Sequence, residues 1–197
     1  MANINAPFGL RAVRRGDGAA WTSNHTTRKM QNNAGACNRG DVVKSLADGT
    51  VAVSTIAAGD QLINVGVVEG FHYLSSALGY PIWTNYWPGS GALGLVDVFV
   101  IDDPFVVFEV MAATGPITLT DVGANAPLVY NASTTGFSKW ALGTPAVSTG
   151  SDALPLRIVG LGNNGVNVGE NGYDAASANN IVEVAWNLHY SKTLLAT

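Results

Sequence analysis

Short runs of apolar, often β-branched residues alternate along this chain with breaks that contain glycine and proline. The breaks recur about every eight to twelve residues, which is the spacing of strands in an all-β sandwich or barrel. The segments predicted to be strands are residues 41–46, 50–55, 62–73, 94–101, 105–112, 128–130, 154–161 and 181–190. The predicted fold class is therefore all-β, with a single β-sandwich or barrel-like domain.

Turn residues predict how several of these strands are connected. Residues 48–49, Asp-Gly, indicate a tight hairpin turn between the first two strands. Residues 102–104, Asp-Asp-Pro, indicate a turn between the two most hydrophobic strands, 94–101 and 105–112. We expect these two strands to pair at the centre of the core.

The chain has little helical periodicity, and residues 117–126 are predicted to form one short turn at most. The last two strands are predicted to form a hairpin around a loop rich in Gly and Asn at 162–180. Loops longer than about 15 residues are often functional or are ordered by contacts outside their domain.

The charges divide the chain into a basic beginning and an acidic remainder. Seven basic and two acidic side chains lie in residues 1–44, a net charge of +5. Three basic and twelve acidic side chains follow, a net charge of −9, in a chain whose formal net charge is −4. This asymmetry favours self-complementary assembly, in which the basic segment of one copy contacts the acidic body of the next.

The N-terminal segment has too few apolar residues to form a core, and Pro7 and Gly9 oppose a helix. We therefore predict that residues 1–40 form a basic, extended arm and loop, and that residues 41–197 form the β-rich domain. About 15 extended residues span roughly 50 Å, which is enough to reach a neighbouring molecule. The residues predicted to anchor this arm on a partner are Phe8, Leu10, Arg11, Arg14 and Arg15.

Composition limits the kinds of partner and the cellular location that can be expected for this chain. Charged residues make up 12% of the chain, about half the usual share, which indicates a surface partly covered by partners. The acidic body disfavours nucleic acid, and no apolar run approaches the roughly 20 residues of a membrane span. Cys37 is the only cysteine, which is consistent with synthesis in a reducing cytoplasm and precludes an intramolecular disulfide.

Candidate catalytic groups are sparse. The carboxylates that could act as a pair in hydrolysis are Asp97, Asp102, Asp103 and Glu109, although Asp102 and Asp103 are better explained as turn residues. The three histidines lack the close spacing of metal ligands. We expect no enzymatic activity, no cofactor and no metal.

The segment at 80–88 concentrates aromatic rings. Trp83, Tyr86 and Trp87 are candidates for a binding surface, either as anchors at a protein interface or as a platform for sugars. An aromatic cluster that closes one end of a barrel explains them equally well. The sequence leaves these alternatives open, so a carbohydrate-binding β-sandwich module remains the alternative function.

Seven segments in order along the chain resemble the head decoration, or cement, proteins of tailed bacteriophages. The matching segments are NAPFGLRAVRR (5–15), GDVVK (40–44), VGVVEGF (65–71), DDPFVVFEV (102–110), DVGANAPLV (121–129), LPLRIVGL (154–161) and VEVAWNLHY (182–190). Their order and spacing extend over nearly the whole chain, and nothing in residues 16–36 and 80–87 matches the family.

The resemblance implies a structural virion protein that is made in the host cytoplasm and sits on the outer surface of the capsid. It also implies that the partner is the major capsid protein, whose neighbouring subunits it bridges to stabilise the head. Proteins of this family often act as homo-oligomers, with trimers favoured. No direct contact with nucleic acid or membrane is expected.

Overall fold

A computed structural model describes residues 3–55, 64–145, 154–162 and 177–191, and it shows an all-β fold, as predicted. The strands are β1 (Arg11–Arg15), β2 (Thr26–Met30), β3 (Cys37–Asn38), β4 (Val42–Ser45), β5 (Val51–Val53), β6 (Asn64–Leu74), β7 (Pro81–Thr84), β8 (Tyr86–Trp87), β9 (Val96–Ile101), β10 (Val106–Met111), β11 (Asn125–Ala126), β12 (Leu128–Val129), β13 (Ala141–Leu142), β14 (Leu156–Leu161) and β15 (Ile181–Trp186). A 3-10 turn spans Leu119–Asp121.

Five strands close into a barrel in the order β4, β5, β2, β9 and β6, because β6 also pairs with β4. Strand β7 pairs with Phe71–Leu74 of β6, beyond the residues of β6 that pair with β4. The contact between β2 and β5, through Met30 and Val51, is parallel, and the other barrel pairs are antiparallel.

A second sheet has the order β1, β10, β15, β14 and β11, and all of its pairs are antiparallel. Two short sheets, β3 with β8 and β12 with β13, complete the described part of the fold. The final predicted hairpin is confirmed, because β14 pairs with β15. Residues 163–176 of the loop predicted between them lie outside the described residues.

The barrel wall separates two hydrophobic cores. Val43 of β4 and Val68 of β6 pack in the barrel core, whereas their neighbours Val42 and Val67 pack against the second sheet. Successive side chains of a strand point to opposite faces, so a wall with a core on each side needs apolar residues at consecutive positions. This explains the adjacent apolar pairs Val42–Val43, Val67–Val68 and Val100–Ile101 in the barrel strands, whose two members lie in different cores.

Several local predictions are confirmed. Asp48 and Gly49 lie in the hairpin between β4 and β5, where Gly49 has a φ of 81° and the Asp48 carboxylate accepts from the Thr50 N–H at 2.9 Å. The predicted short turn within 117–126 is the 3-10 turn, whose first backbone N–H, from Thr118, donates to the Asp121 carboxylate.

The predicted pairing of the two most hydrophobic strands is wrong. Strand β9 pairs with β2 and β6 in the barrel, whereas β10 pairs with β1 and β15 in the second sheet. Residues 102–104 therefore carry the chain from one sheet to the other instead of closing a hairpin. Each apolar strand lies inside its own sheet, with a paired strand on either side.

The N-terminal residues also differ from the predicted arm. Within residues 1–40, β1 is an edge strand of the second sheet and β2 is a wall strand of the barrel. The ladder between β2 and β9 runs from Thr26–Val100 to Met30–Val96. Residues 11–40 therefore belong to the folded domain, and the predicted boundary at residue 40 does not separate an arm from it.

Candidate functional site

Leu10, one of the predicted arm anchors, is a core residue of its own chain. Its side chain is only 3% exposed and packs in the core between the barrel and the second sheet. Its backbone N–H donates to the Gly40 carbonyl at 3.0 Å, and the Gly9 N–H donates to the Trp140 carbonyl at 3.2 Å. Leu10 is therefore unavailable to a partner, which corrects the prediction.

Two glycines let the N-terminal segment cross the domain at this point. Gly9 has a φ of +79°, and a Cβ there would lie 2.4 Å from the Ser138 Oγ and 2.6 Å from the Gly40 carbonyl oxygen. Gly40 has a φ of +89° and lies close to the Phe8 carbonyl. Only glycine fits both the conformation and the space, so the segment before β1 is held against its own domain.

The predicted anchoring arginines form ion pairs within the chain. Arg11 pairs with Glu109 of β10, and Arg14 pairs with Glu183 of β15 at 2.7 Å. Arg15 lies 3.8 Å from both Asp17 and Asp103. Further along the N-terminal region, the pairs are Arg28 with Asp102, Lys29 with Asp97 and Arg39 with Glu69. The basic N-terminal region is thus neutralised by acidic groups of the same copy.

The aromatic segment does not form the predicted three-ring platform. Trp83 on β7 is 71% exposed, Tyr86 is half-buried, and Trp87 is fully buried in the barrel core. Trp87 contacts the Tyr73 ring edge-on, with 4.8 Å between ring centroids. Because β8 pairs with β3 rather than continuing β7, Trp83 and Trp87 lie in different sheets. Of the three, Trp87 is a structural residue.

Trp83 instead stacks with rings from other strands. Its ring lies 5.3 Å from Phe99 on β9, with an angle of 7° between the planes, and 4.2 Å from His72 on β6. Gly70 lies opposite Phe99 in the ladder between β6 and β9. The absence of a side chain there leaves space for the Phe99 and Trp83 rings to meet across β6.

Two adjoining cavities lie beside these rings. The larger one has a volume of about 570 Å³ and is lined by Phe8, Trp21 and Phe137, among others. The smaller one, of about 290 Å³, is lined by Trp83 and Phe99. Glu69 and Asn85 line both cavities, which together form one groove, named here the aromatic groove. Trp21, Phe137 and Phe99 were not predicted as site residues, because no local motif marks them.

A second surface, at the far end of β6, is formed by apolar side chains from a stretch of chain that contains no charged residue. It consists of Leu74, Leu78, Tyr80, Leu93 and Leu95, all of them exposed, and is named here the apolar tip. Backbone hydrogen bonds hold it together, from Leu93 to Leu74 at 2.8 Å and from Ser75 to Tyr80 at 3.1 Å. No Asp, Glu, Lys, Arg or His occurs between His72 and Asp97 in the sequence.

The chain matches no family model, no curated protein and no solved structure.

The candidate catalytic carboxylates are engaged separately. Asp97 accepts from Lys29 and lies 3.5 Å from the His72 Nδ1, and the hydrogen bond from Lys29 lowers its pKa. Asp103 and Glu109 contact Arg15 and Arg11, respectively. Within the described residues, no group of three His, Cys, Asp or Glu side chains could hold a metal ion. The same part of the chain contains no helix that is long and apolar enough to cross a membrane.

Buried polar groups near β3 hydrogen-bond to one another. The Asp41 carboxylate accepts from the Asn38 backbone N–H at 2.8 Å and from the Asn38 side-chain amide at 3.1 Å. Burial raises the pKa of Asp41, against these hydrogen bonds, which favour the charged form. Burial also raises the pKa of the Cys37 thiol well above its ordinary value, so Cys37 is a poor nucleophile.

Proposed function

We propose that this chain is a structural virion protein that decorates the head of a tailed bacteriophage. It binds the major capsid protein lattice on the outer capsid surface and stabilises the head without catalysis. The observation that carries this proposal is the apolar tip, and the segments that resemble decoration proteins over most of the chain support it.

The apolar tip has the properties of a protein-binding surface. Soluble monomers rarely expose contiguous apolar patches larger than about a few hundred Å², and the largest apolar patch of a monomer is often its interaction site. The tip presents five large side chains with no charged group in the same stretch of chain. Burial of such a surface against another protein removes apolar area from water and leaves no charge to be desolvated.

Valency explains how a modest interface would stabilise a head. Each copy contacts the lattice weakly, but copies joined in a homo-oligomer, with a trimer favoured, bind at a high effective concentration once one of them is attached. The proposal assigns no role to nucleic acid, because the basic N-terminal side chains are paired with carboxylates of the same chain. Synthesis in the host cytoplasm precedes assembly onto the head.

The test is a binding measurement with a charged substitution in the apolar tip. We expect the double variant Leu78→Asp, Leu93→Asp to lower binding to heads that lack this chain at least tenfold, because two charges would be buried without partners. Cosedimentation of the purified protein with such heads gives the affinity. Circular dichroism and the urea midpoint show whether the fold is kept.

Leu119→Asp is the matched control. Leu119 is 76% exposed, but it lies on the 3-10 turn beside β14, away from the tip. We expect this variant to bind heads as the wild type does. Equal binding by the tip variant and the wild type would show that the tip is not part of the interface.

A further inference from the structure

The aromatic groove has the composition of a ligand site, and the capsid-binding role proposed for the apolar tip does not use it. Its larger cavity falls within the roughly 300–1,000 Å³ range of small-molecule sites. Exposed rings stand at both ends, with Phe137 75% exposed at one end and Trp83 71% exposed at the other. Large rings this exposed bury no core surface of their own, so they are available to a ligand.

The middle of the groove is polar but electrically neutral. Arg39 pairs with Glu69, and Arg11, whose guanidinium lies 5.3 Å from the Phe8 ring centroid, pairs with Glu109. These pairs account for every charged side chain that lines the two cavities among the described residues. A phosphate or an acidic peptide would therefore find no free positive charge to neutralise it.

The polar groups in the groove, although together they carry no net charge, can both donate and accept hydrogen bonds. The Arg39 guanidinium offers donors in a plane, the Glu69 carboxylate offers acceptors, and the exposed Asn85 amide offers both. Ligand hydroxyls have the same dual capacity. A row of hydroxyls between two aromatic ends is the arrangement that a chain of sugar rings presents, since each ring also has an apolar C–H face that stacks on aromatic side chains.

From this arrangement we propose that the aromatic groove binds a neutral oligosaccharide. One sugar ring stacks at Trp83 and Phe99, another stacks at Phe137, and the sugars between them bond to Arg39, Glu69 and Asn85. This site differs from the predicted platform of Trp83, Tyr86 and Trp87, because only Trp83 belongs to both. On a decorated head, the groove would add binding of a polysaccharide to the stabilising role.

The test uses the full chain, a set of neutral hexasaccharides (gluco-, manno-, galacto-, xylo- and chito-oligomers) and two charged polymers, hyaluronan and polysialic acid. We expect at least one neutral hexasaccharide to bind, as measured by titration calorimetry. Trp83→Ala and Phe137→Ala should each lower that affinity about tenfold. Both residues are exposed, so these variants should keep the wild-type fold. Leu119→Ala, an exposed site away from the groove, should bind as the wild type does.

Salt dependence separates neutral from charged ligands. Between low and high salt, the affinity for the neutral hexasaccharide should stay constant, because no ion pair forms with the ligand. The proposal is overturned if no neutral hexasaccharide binds, if only the charged polymers bind, or if both groove variants bind as the wild type does. Loss of head binding in Trp83→Ala without any sugar binding would instead make the groove a protein-docking site. The tip variants test head binding separately, so the two proposals can fail independently.

Discussion

At the scale of single residues, Gly9 allows the N-terminal segment to pack against the domain. Two separate requirements meet there, a left-handed φ of +79° and the close approach of Ser138 and Gly40. Gly18 has a similar φ of +88°, but a Cβ there would meet nothing within 4 Å. A comparison of substitutions at Gly9 and Gly18 therefore separates the cost of backbone strain from the cost of steric crowding.

We expect Gly9→Ala to destabilise the fold more than Gly18→Ala. The left-handed conformation costs about 1–2 kcal/mol at both sites, and the crowding at Gly9 should add roughly 2 kcal/mol. Urea unfolding of the two variants and the wild type measures the difference. Equal losses would show that the N-terminal segment does not pack on Ser138.

Two aspartates should give opposite pH dependences of stability. Burial raises the pKa of Asp41 above its ordinary value of 3.8, whereas the hydrogen bond from Lys29 lowers the pKa of Asp97. Folded Asp41 holds its proton more tightly than the unfolded chain does, so its contribution to stability falls as pH rises through its folded pKa. Asp97 contributes stability above the unfolded value, and this is lost as pH falls through its folded pKa.

The variants Asp41→Asn and Asp97→Asn test these directions. As pH rises from about 3 to 7, Asp41→Asn should gain in unfolding free energy relative to the wild type, and Asp97→Asn should lose. Denaturant titrations across this range give both differences. Parallel trends in the two variants would contradict the assigned environments.

The sequence alone could not predict which rings of the aromatic segment are exposed, and the reason is physical. Trp83 and Trp87 are an even number of residues apart, so a continuous strand would place them on the same face. Asn85 lies between β7 and β8, which belong to different sheets, and this break sends Trp83 to the surface and Trp87 to the core. The partner that holds Trp87 in a separate sheet, β3, is distant in sequence.

At the scale of elements, β1 and its preceding residue anchor the N-terminus. Leu10→Ala should cost about 2–5 kcal/mol, as is usual for a buried leucine, because its side chain lies in the core beside the second sheet. Ile4→Ala, at a side chain that is 83% exposed, should change the unfolding free energy little. Urea unfolding midpoints compare the two. If Leu10→Ala lowered the unfolding free energy by less than about 0.5 kcal/mol, the N-terminal segment would be a free arm, as the sequence predicted.

The strands that apolar patterning marks were predictable, whereas β1 and β2 were not. Their sequences, RAVRR and TTRKM, carry too few apolar residues to predict burial. They are strands because the ladders with β10 and β9 satisfy their backbone groups and because carboxylates on those neighbours pair with Arg11 and Lys29. Such support is non-local, and a single sequence does not display it.

At the scale of the whole molecule, the basic side chains of the N-terminal region pair with acidic side chains of the same copy. The sequence predicted that basic and acidic regions attract each other, but it placed the contact between copies. The structure places Arg14 against Glu183, and Arg28 against Asp102, within one chain. In the proposed function, contacts with other chains therefore fall to uncharged surfaces, above all to the apolar tip.

The aromatic groove shows why a site built from distant segments escapes sequence analysis. Arg39, Glu69 and Phe137 lie far apart along the chain, and none of them was predicted as a site residue. Phe8 was predicted, but as an anchor on a partner rather than as part of a groove. Closure of the barrel and the crossing of the N-terminal segment bring them together. Trp83 was predicted because its aromatic neighbours in sequence drew attention to it.

The capsid-decorating role is tested most directly by cryo-electron microscopy of heads that lack this chain, imaged before and after the purified protein is added. We expect new density at repeating positions on the outer surface, with the apolar tip facing the major capsid protein. Strand β1 should lie within the same copy as β10. Heads that gain no density at saturating protein, or density that meets the lattice through the N-terminal segment instead of the tip, would contradict the proposed mode of binding.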